Sequence, residues 1–434
     1  MRGPHSLRLV ILILLSVCLG LAGSAVRPSH VYSQSAAPAD FARTAAGLIA
    51  HGKRAEAEQL ARSRGESNPD AAVVLAQLAS ARGRYADARA MLDPIARSHP
   101  ESDAALELAI VDQAIGRNTE AAALLERLFQ EGSEARDPGV MFRAARAAHL
   151  LGRKRDANSL YREAERAGAD SVLVESSWGQ LFLDTYNAAE AVKSFNGVLQ
   201  ADPQWAPARL GLARALADDD PPAAAASAAK ALEIDPDLAD ARVLLASLHL
   251  DADRRAEAAE ELKHALAINP SHLEAHALVA ATAFLKDDTP AFDREVAATL
   301  AINPGYSDVY RIAGEQAASN YRFADAVALT EKALALDPTN ARASADLGMH
   351  LLRTGDEAGA RRALEAAFRA DPYSIVTYNL LQMLDTVDQF AVVKDGDITF
   401  RMSKDEAPVL QEYAIPLTRT ALKTLGAKYQ FTPS

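Results

Sequence analysis

The sequence predicts an all-α fold, a solenoid of about ten helix pairs with a small α+β segment at the C-terminus. Three observations predict it. Hydrophobic residues make up 49% of the 434 positions but aromatics only 6%, because alanine and leucine dominate. Those two head the helix scale, and alanine is a poor strand former. Prolines recur at Pro203, Pro236, Pro270, Pro304, Pro338 and Pro372, with a spacing of 33 once and then 34 four times. Each is preceded by Asp or Asn at the end of an apolar stretch such as Leu266-Ala267-Ile268-Asn269. A fixed period of this length marks a repeat array rather than two or three unrelated domains.

Small residues define the helix pair within each unit. Gly179, Ala246, Ala280, Gly314 and Gly348 fall where the first helix must press on the second. Twelve residues later stand Ala191, Ala258, Ala326 and Ala360, and seven further on Ala265, Ala333 and Ala367. Two short helices are marginal alone in water, so each unit must hand its remaining apolar face to the next. Leucines such as Leu262 and Leu364 fill the space between neighbours, and the proline keeps the second helix from running on.

The register extends backwards through Gly152-Arg153, Gly116-Arg117, Gly83-Arg84-Tyr85 and Gly52-Lys53-Arg54, each followed by a matching alanine at 157, 121, 88 and 57. The array therefore spans residues 40–388, with a last helix from Ser374 to Asp385 covering the final unit. The eighth pair is least regular: Asp287-Asp288-Thr289-Pro290 joins its helices, and Phe292 and Thr299 stand where alanine is usual.

An apolar residue, Asp or Asn, then Pro at this period resembles the tetratricopeptide repeat (TPR). The resemblance implies a right-handed superhelical solenoid, a scaffold that binds extended peptides or partner helices in a concave groove lined by the first helix of each pair. Carried over position by position, it points to Glu274, Phe284, Asp308, Arg311, Glu315, Arg342, Asp346, Met349 and Arg353. Among these, Arg311, Arg342 and Arg353 suit a carboxylate held bidentately. The same residues also suit solvated charges on an amphipathic helix. The Lys and Asn pattern of chaperone-binding repeats is missing, with Glu315 and Asp346 where amides are wanted, which disfavours that role.

Both ends differ from the array. Arg2 and Arg8 precede an apolar run from Leu9 to Leu19, and Gly23 and Ala25 are spaced for cleavage after Ala25. Residues 1–25 thus read as an export signal, with a run shorter than the ~20 residues of a bilayer span. Residues 26–39 read as a flexible lead-in, and the chain as periplasmic or extracellular, or else membrane-anchored if the signal is retained. Cys18 is the only cysteine, so the mature chain has neither a disulfide nor a thiolate metal site.

Residues 389–434 predict two short strands, Phe390 to Lys394 and Ile398 to Met402, around Asp395-Gly396-Asp397, then a helix from about Asp405 to Tyr429. Leu384 to Phe390, Ile398 to Arg401, Asp405 to Leu410 and Tyr429 to Phe431 resemble the opening of a peptidase MA-like (gluzincin-type) metallopeptidase domain. In that family the His-Glu-x-x-His zinc helix lies further along, so the resemblance assigns no catalytic residue here. It implies an alternative in which the chain is the substrate-recruiting part of a longer zinc peptidase.

Other functions are disfavoured. The formal charge is −12, with acids and bases interleaved and no basic stripe for a phosphate backbone. His272 and His276 have the i, i+4 spacing of helical zinc ligands, but Glu does not follow the first His and both fit repeat positions. No phosphate-binding glycine loop and no Ser/His/Asp arrangement occurs. The expectation is a non-catalytic scaffold without cofactor or metal, with a protein or peptide partner, no nucleic acid and no membrane insertion once the signal is cleaved.

Overall fold

A computed structural model describes residues 41–65, 68–132 and 134–431; the predicted export signal and lead-in lie outside them. Ten helix pairs follow in chain order. The first five are α1 (Phe41–Ala50) and α2 (Arg54–Ser63), α3 (Pro69–Ala81) and α4 (Tyr85–Ser98), α5 (Asp103–Ala114) and α6 (Asn118–Gly132), α7 (Pro138–Leu150) and α8 (Lys154–Ala167), α9 (Ser171–Asp184) and α10 (Ala188–Ala201). The second five are α11 (Ala206–Leu216) and α12 (Pro221–Ile234), α13 (Ala239–Asp251) and α14 (Arg255–Ile268), α15 (Leu273–Leu285) and α16 (Thr289–Ile302), α17 (Asp308–Ser319) and α18 (Phe323–Leu336), α19 (Ala341–Thr354) and α20 (Glu357–Ala370).

Two turn chemistries alternate along the array. Inside most pairs the first helix ends on a left-handed residue: Gly52, Gly83, Gly116, Gly152 and Gly355, but also Tyr186, Asp253, Asp287 and Tyr321 at φ of 55–61°. The next N–H reaches back to the helix, as Arg254 does to the His249 carbonyl at 2.7 Å, which is the usual αL helix stop. Between pairs, the residue before each proline closes an Asx turn. Asp202, Asp235, Asn269, Asn303, Asp337 and Asp371 each accept from the N–H two residues on, at 2.9 to 3.2 Å. That bond is why the motif tolerates Asp or Asn and little else.

Close helix approach makes the core. Phe195 is 2% exposed and lies between Gly179 and Gly211, where an added Cβ would come within 2.7 and 2.3 Å of its ring. Leu364 fills the same place against Gly348, and Ala326 is fully buried beside Gly314. Thr299 is accommodated in the eighth pair because its hydroxyl bonds the Glu295 carbonyl at 2.8 Å.

The expected end of the array shifts slightly. The capping helix α21 is Ile375–Val387, because Ser374 stays outside it as the cap and accepts from the Thr377 N–H at 3.2 Å. Strands β1 (Ala391–Asp395) and β2 (Ile398–Met402) pair antiparallel, with Asp395 opposite Ile398. The loop is therefore the two residues Gly396-Asp397, with Gly396 at φ 60°. Helix α22 (Ala407–Tyr429) begins after Glu406 rather than Asp405. Arg419 pairs with Asp395 and ties α22 to the hairpin.

Successive superhelical turns touch. The turn inside a pair meets the loop that follows the pair about five units on. Arg54 donates to Asp235 at 2.7 Å and to the Asp237 carbonyl at 3.1 Å. Gly83 abuts Asn269 and Ser271, and Asn303 donates to the Gln113 and Ala114 carbonyls at 3.3 Å each. Lys154 reaches Asp371 at 3.0 Å. At the N-terminal end His51 bonds Asp202 at 2.9 Å, while Arg43 stacks over Trp205 at 4.9 Å. The turns form one edge of the ribbon and the loops the other, so this seam joins the two edges of successive superhelical turns.

Candidate functional site

The inner face carries a row of carboxylates centred on Arg311. Along α17 the i, i+3 and i, i+4 spacings place Asp308 and Glu315 beside that guanidinium, at 2.6 and 3.1 Å. From α19, Asp346 reaches it at 3.3 Å. Asp308 also accepts from Asn340 at 3.1 Å. Three acids thus share one nearly buried cation.

The ionisation of the three diverges accordingly. Burial works to raise the Asp308 carboxyl, but the charge and hydrogen bond of Arg311 outweigh it and hold the group below its ordinary value. Burial also raises Glu315 and Asp346, and there it prevails over the attraction of Arg311; the charge of Asp308 opposes the ionisation of both, and that of Asp346 adds to the rise of Glu315. Nearby, Asp251 is raised by burial despite a 3.3 Å hydrogen bond from Gln316, with Glu315 adding to the rise. Glu315 nevertheless leaves 56% of its side chain open to solvent.

Of the residues singled out from sequence, the structure brings Asp308, Arg311, Glu315 and Asp346 together. Arg342, on the first turn of α19, acts on Asp308 and Asp346 of this cluster as well as on Asp184 and Tyr186 of the preceding superhelical turn. Arg353 lies over the Phe323 ring at 5.3 Å and 3.8 Å from the Met349 sulfur. Phe284 is covered by Arg322 at 4.5 Å and packs on Phe292. Glu274 sits at the start of α15, close enough to influence His272 and Tyr306. Arg311 and Arg342 thus both act on Asp308 and Asp346, Arg353 has Phe323 and Met349 as its neighbours, and Arg311 is occupied by the protein's own acids.

Sequence reading passed over Asp240, which pairs with Arg214 at 3.3 Å and faces His272 at 3.6 Å. Burial opposes its ionisation, yet the hydrogen bond from His272 and the charge of Arg214 lower it overall. A signal was present: Asp240, Glu274 and Asp308 each stand thirty residues before their proline, on the first turn of three consecutive first helices. His272 caps α15 through the Ala275 N–H at 3.3 Å, whereas His276 bonds Glu295 at 2.8 Å. The two histidines have separate partners, and among the described residues no cluster of three or more His, Cys, Asp or Glu is placed to hold a metal. Among the same residues no helix is long and apolar enough to cross a membrane.

Comparison with known families agrees with this geometry. Two family models, each described as tetratricopeptide repeat, match residues 215–282 with 317–382, and residues 73–111. The class of protein is thus a TPR solenoid, a fold typical of protein–protein interaction. Among solved structures, the APC/C hetero-tetramer Cut9–Hcn1 is similar at 17% identity and a TM-score of 0.48, over 78% of this chain and 68% of that one. A tetratricopeptide repeat protein from Parabacteroides merdae ATCC 43184 is similar at 14% identity and TM-score 0.41, over 60% and 99%. YrrB, described as a TPR protein with an unusual peptide-binding site, is similar at 16% and 0.27, over 44% and 100%. No curated protein matches.

Proposed function

We propose that the chain is an exported, non-catalytic scaffold that binds a protein or peptide partner along the inner face of its solenoid, and that the segment it holds is positively charged. The carrying observation is the surplus of acid around Arg311, whose guanidinium pairs with Asp308, Glu315 and Asp346, while the charge of Arg342 also reaches Asp308 and Asp346. A lysine or arginine from a partner adds a cation to this acid surplus and favours the ionised form of Glu315 and Asp346. Asp240 and Asp251 extend the same preference along the row. The basic, apolar and small-residue sequence of residues 1–25 supports export.

Calorimetric titration of the chain with a lysine-rich and a glutamate-rich peptide of equal length tests this reading. Binding of the lysine peptide alone is expected, weakened in Glu315→Gln/Asp346→Asn by roughly the tenfold that one charge-assisted contact supplies. Preference for the acidic peptide sinks it.

A second reading, the recruiting arm of a longer zinc peptidase, is favoured by one observation. Helix α22 buries only Ala407, while Val409, Tyr413, Leu417 and Leu425 are exposed, an apolar face suited to further packing. The intact mass of the protein from its source distinguishes the readings: a mass larger by tens of kilodaltons supports the peptidase arm.

A further inference from the structure

The seam between superhelical turns differs in chemistry from the contacts along the array. Adjacent units meet through alanine and leucine, whereas turn and loop meet through ion pairs and amide-to-carbonyl bonds: Arg54 with Asp235, Asn303 with Ala114, Lys154 with Asp371. Apolar clusters respect the same division. Leu92, Leu106 and Leu125 belong to one core in the early pairs, and Leu262, Leu278 and Val309 to another in the later ones, though their turns and loops touch. Across the N-terminal end an apolar cluster lies beside the polar contacts of His51 and Arg43, with Ala50 joining Phe195, Val198 and Trp205.

A largely polar seam that no buried apolar cluster crosses away from that end parts at the least cost, because water replaces each lost partner. An apolar anchor at one end then acts as the pivot. The carboxylate row lies on the inner face that this seam walls in. Resting on the reading that this face holds the partner, we propose that the seam is a clasp. It opens about the Trp205 end, admits a polypeptide to the acid row and recloses over it.

Thiol labelling at Glu315 tests the clasp without a partner. With Cys18 replaced by serine, Glu315→Cys carries the sole thiol, and Lys193→Cys, on a residue whose side chain is 77% exposed, provides the open control. N-ethylmaleimide reports access for a small molecule, and a polyethylene-glycol maleimide reports access for a chain. At low salt the large reagent is expected to lag well behind the small one at position 315 but not at position 193. Lys154→Glu, which sets an acid against Asp371, is expected to speed the large reagent by roughly tenfold, as loss of one charge-assisted bond does to an opening equilibrium. Salt near 1 M, where screening shortens to about 3 Å, is expected to act in the same direction on the unaltered seam. This salt arm decides the matter if Lys154→Glu fails to fold. Equal rates for the two reagents at low salt, or a lag that neither the substitution nor salt relieves, overturn the clasp. Neither result bears on peptide preference, so the two readings fail separately.

Discussion

Asn303 donates its side-chain amide to the main-chain carbonyls of Gln113 and Ala114, each at 3.3 Å, and so joins the eighth helix pair to the third. Equivalent positions carry the group that their neighbour across the seam requires. Asp235 meets Arg54, Asp202 meets His51 and Asp371 meets Lys154, whereas Asn303 meets carbonyls at the end of α5. Either residue closes the local Asx turn, so the choice between acid and amide is made across the seam.

Asn303→Asp keeps the turn but loses the donor and places a carboxylate against two carbonyl oxygens. Asn303 is only 7% exposed, so the loss is expected to cost roughly 1–3 kcal/mol. Urea denaturation checks this, with Asp337→Asn as the control: the acceptor of Asp337 serves the N–H and hydroxyl of Thr339, and the change is expected to cost less.

Two glycines separate backbone strain from seam contact. Gly116 and Gly152 have left-handed φ of 80° and 73°, so alanine at either carries a conformational cost of about 1–2 kcal/mol. An added Cβ at 116 would come within 2.5 Å of Asn303 Oδ1, whereas at 152 it meets nothing within 4 Å. Gly116→Ala is expected to lower the melting temperature clearly more than Gly152→Ala. Equal losses would mean that the third pair does not press on the eighth.

The array was legible from sequence because its causes are local and periodic. Proline spacing, the preceding Asp or Asn and the small residues at Gly314, Ala326 and Ala333 each act within one unit or between neighbours. The four charged members of the Arg311 cluster were legible for the same reason, being separated by three, four or one repeat plus one. The seam was not. Asn303 and Gln113 lie far apart in sequence, and their meeting depends on the small rotation between units summed over five of them, which no single repeat encodes. The pairing of Arg311 with acids rather than with a shared ligand was also hidden, since a linear sequence fixes which charges share a helix but not how they divide their partners.

Packing at Ala326 offers a test of the pair geometry itself. Its side chain is fully buried, and Gly314 approaches so closely that an added Cβ there would come within 3.2 Å of the Ala326 carbonyl and 2.7 Å of Thr330. Ala326→Leu adds volume where the backbones are already in contact and is expected to cost about 1–3 kcal/mol through overpacking. A thermal melt unchanged by the substitution would contradict the placement of α17 on α18.

His350 predicts how stability depends on pH. Its ring is 4% exposed and neither nitrogen has a hydrogen-bond partner, so burial, aided by Arg353, depresses its pKa to about 4. Above about pH 6.5 the imidazole is neutral whether the chain is folded or unfolded, and no proton is exchanged on unfolding. Between about 6.5 and 4 the unfolded chain binds a proton that the folded one excludes. Stability therefore falls as pH drops through this window, by on the order of 2–3 kcal/mol in full, and levels off below it. The same repeat position holds Leu248 in the seventh pair, twenty-two residues before its proline, so leucine is compatible with the site. His350→Leu is expected to match or exceed the parent at pH 7 and to lose less of its urea midpoint between pH 7 and 4.5. If the two proteins lose the same amount, the imidazole is protonated inside the fold and its burial is relieved by water.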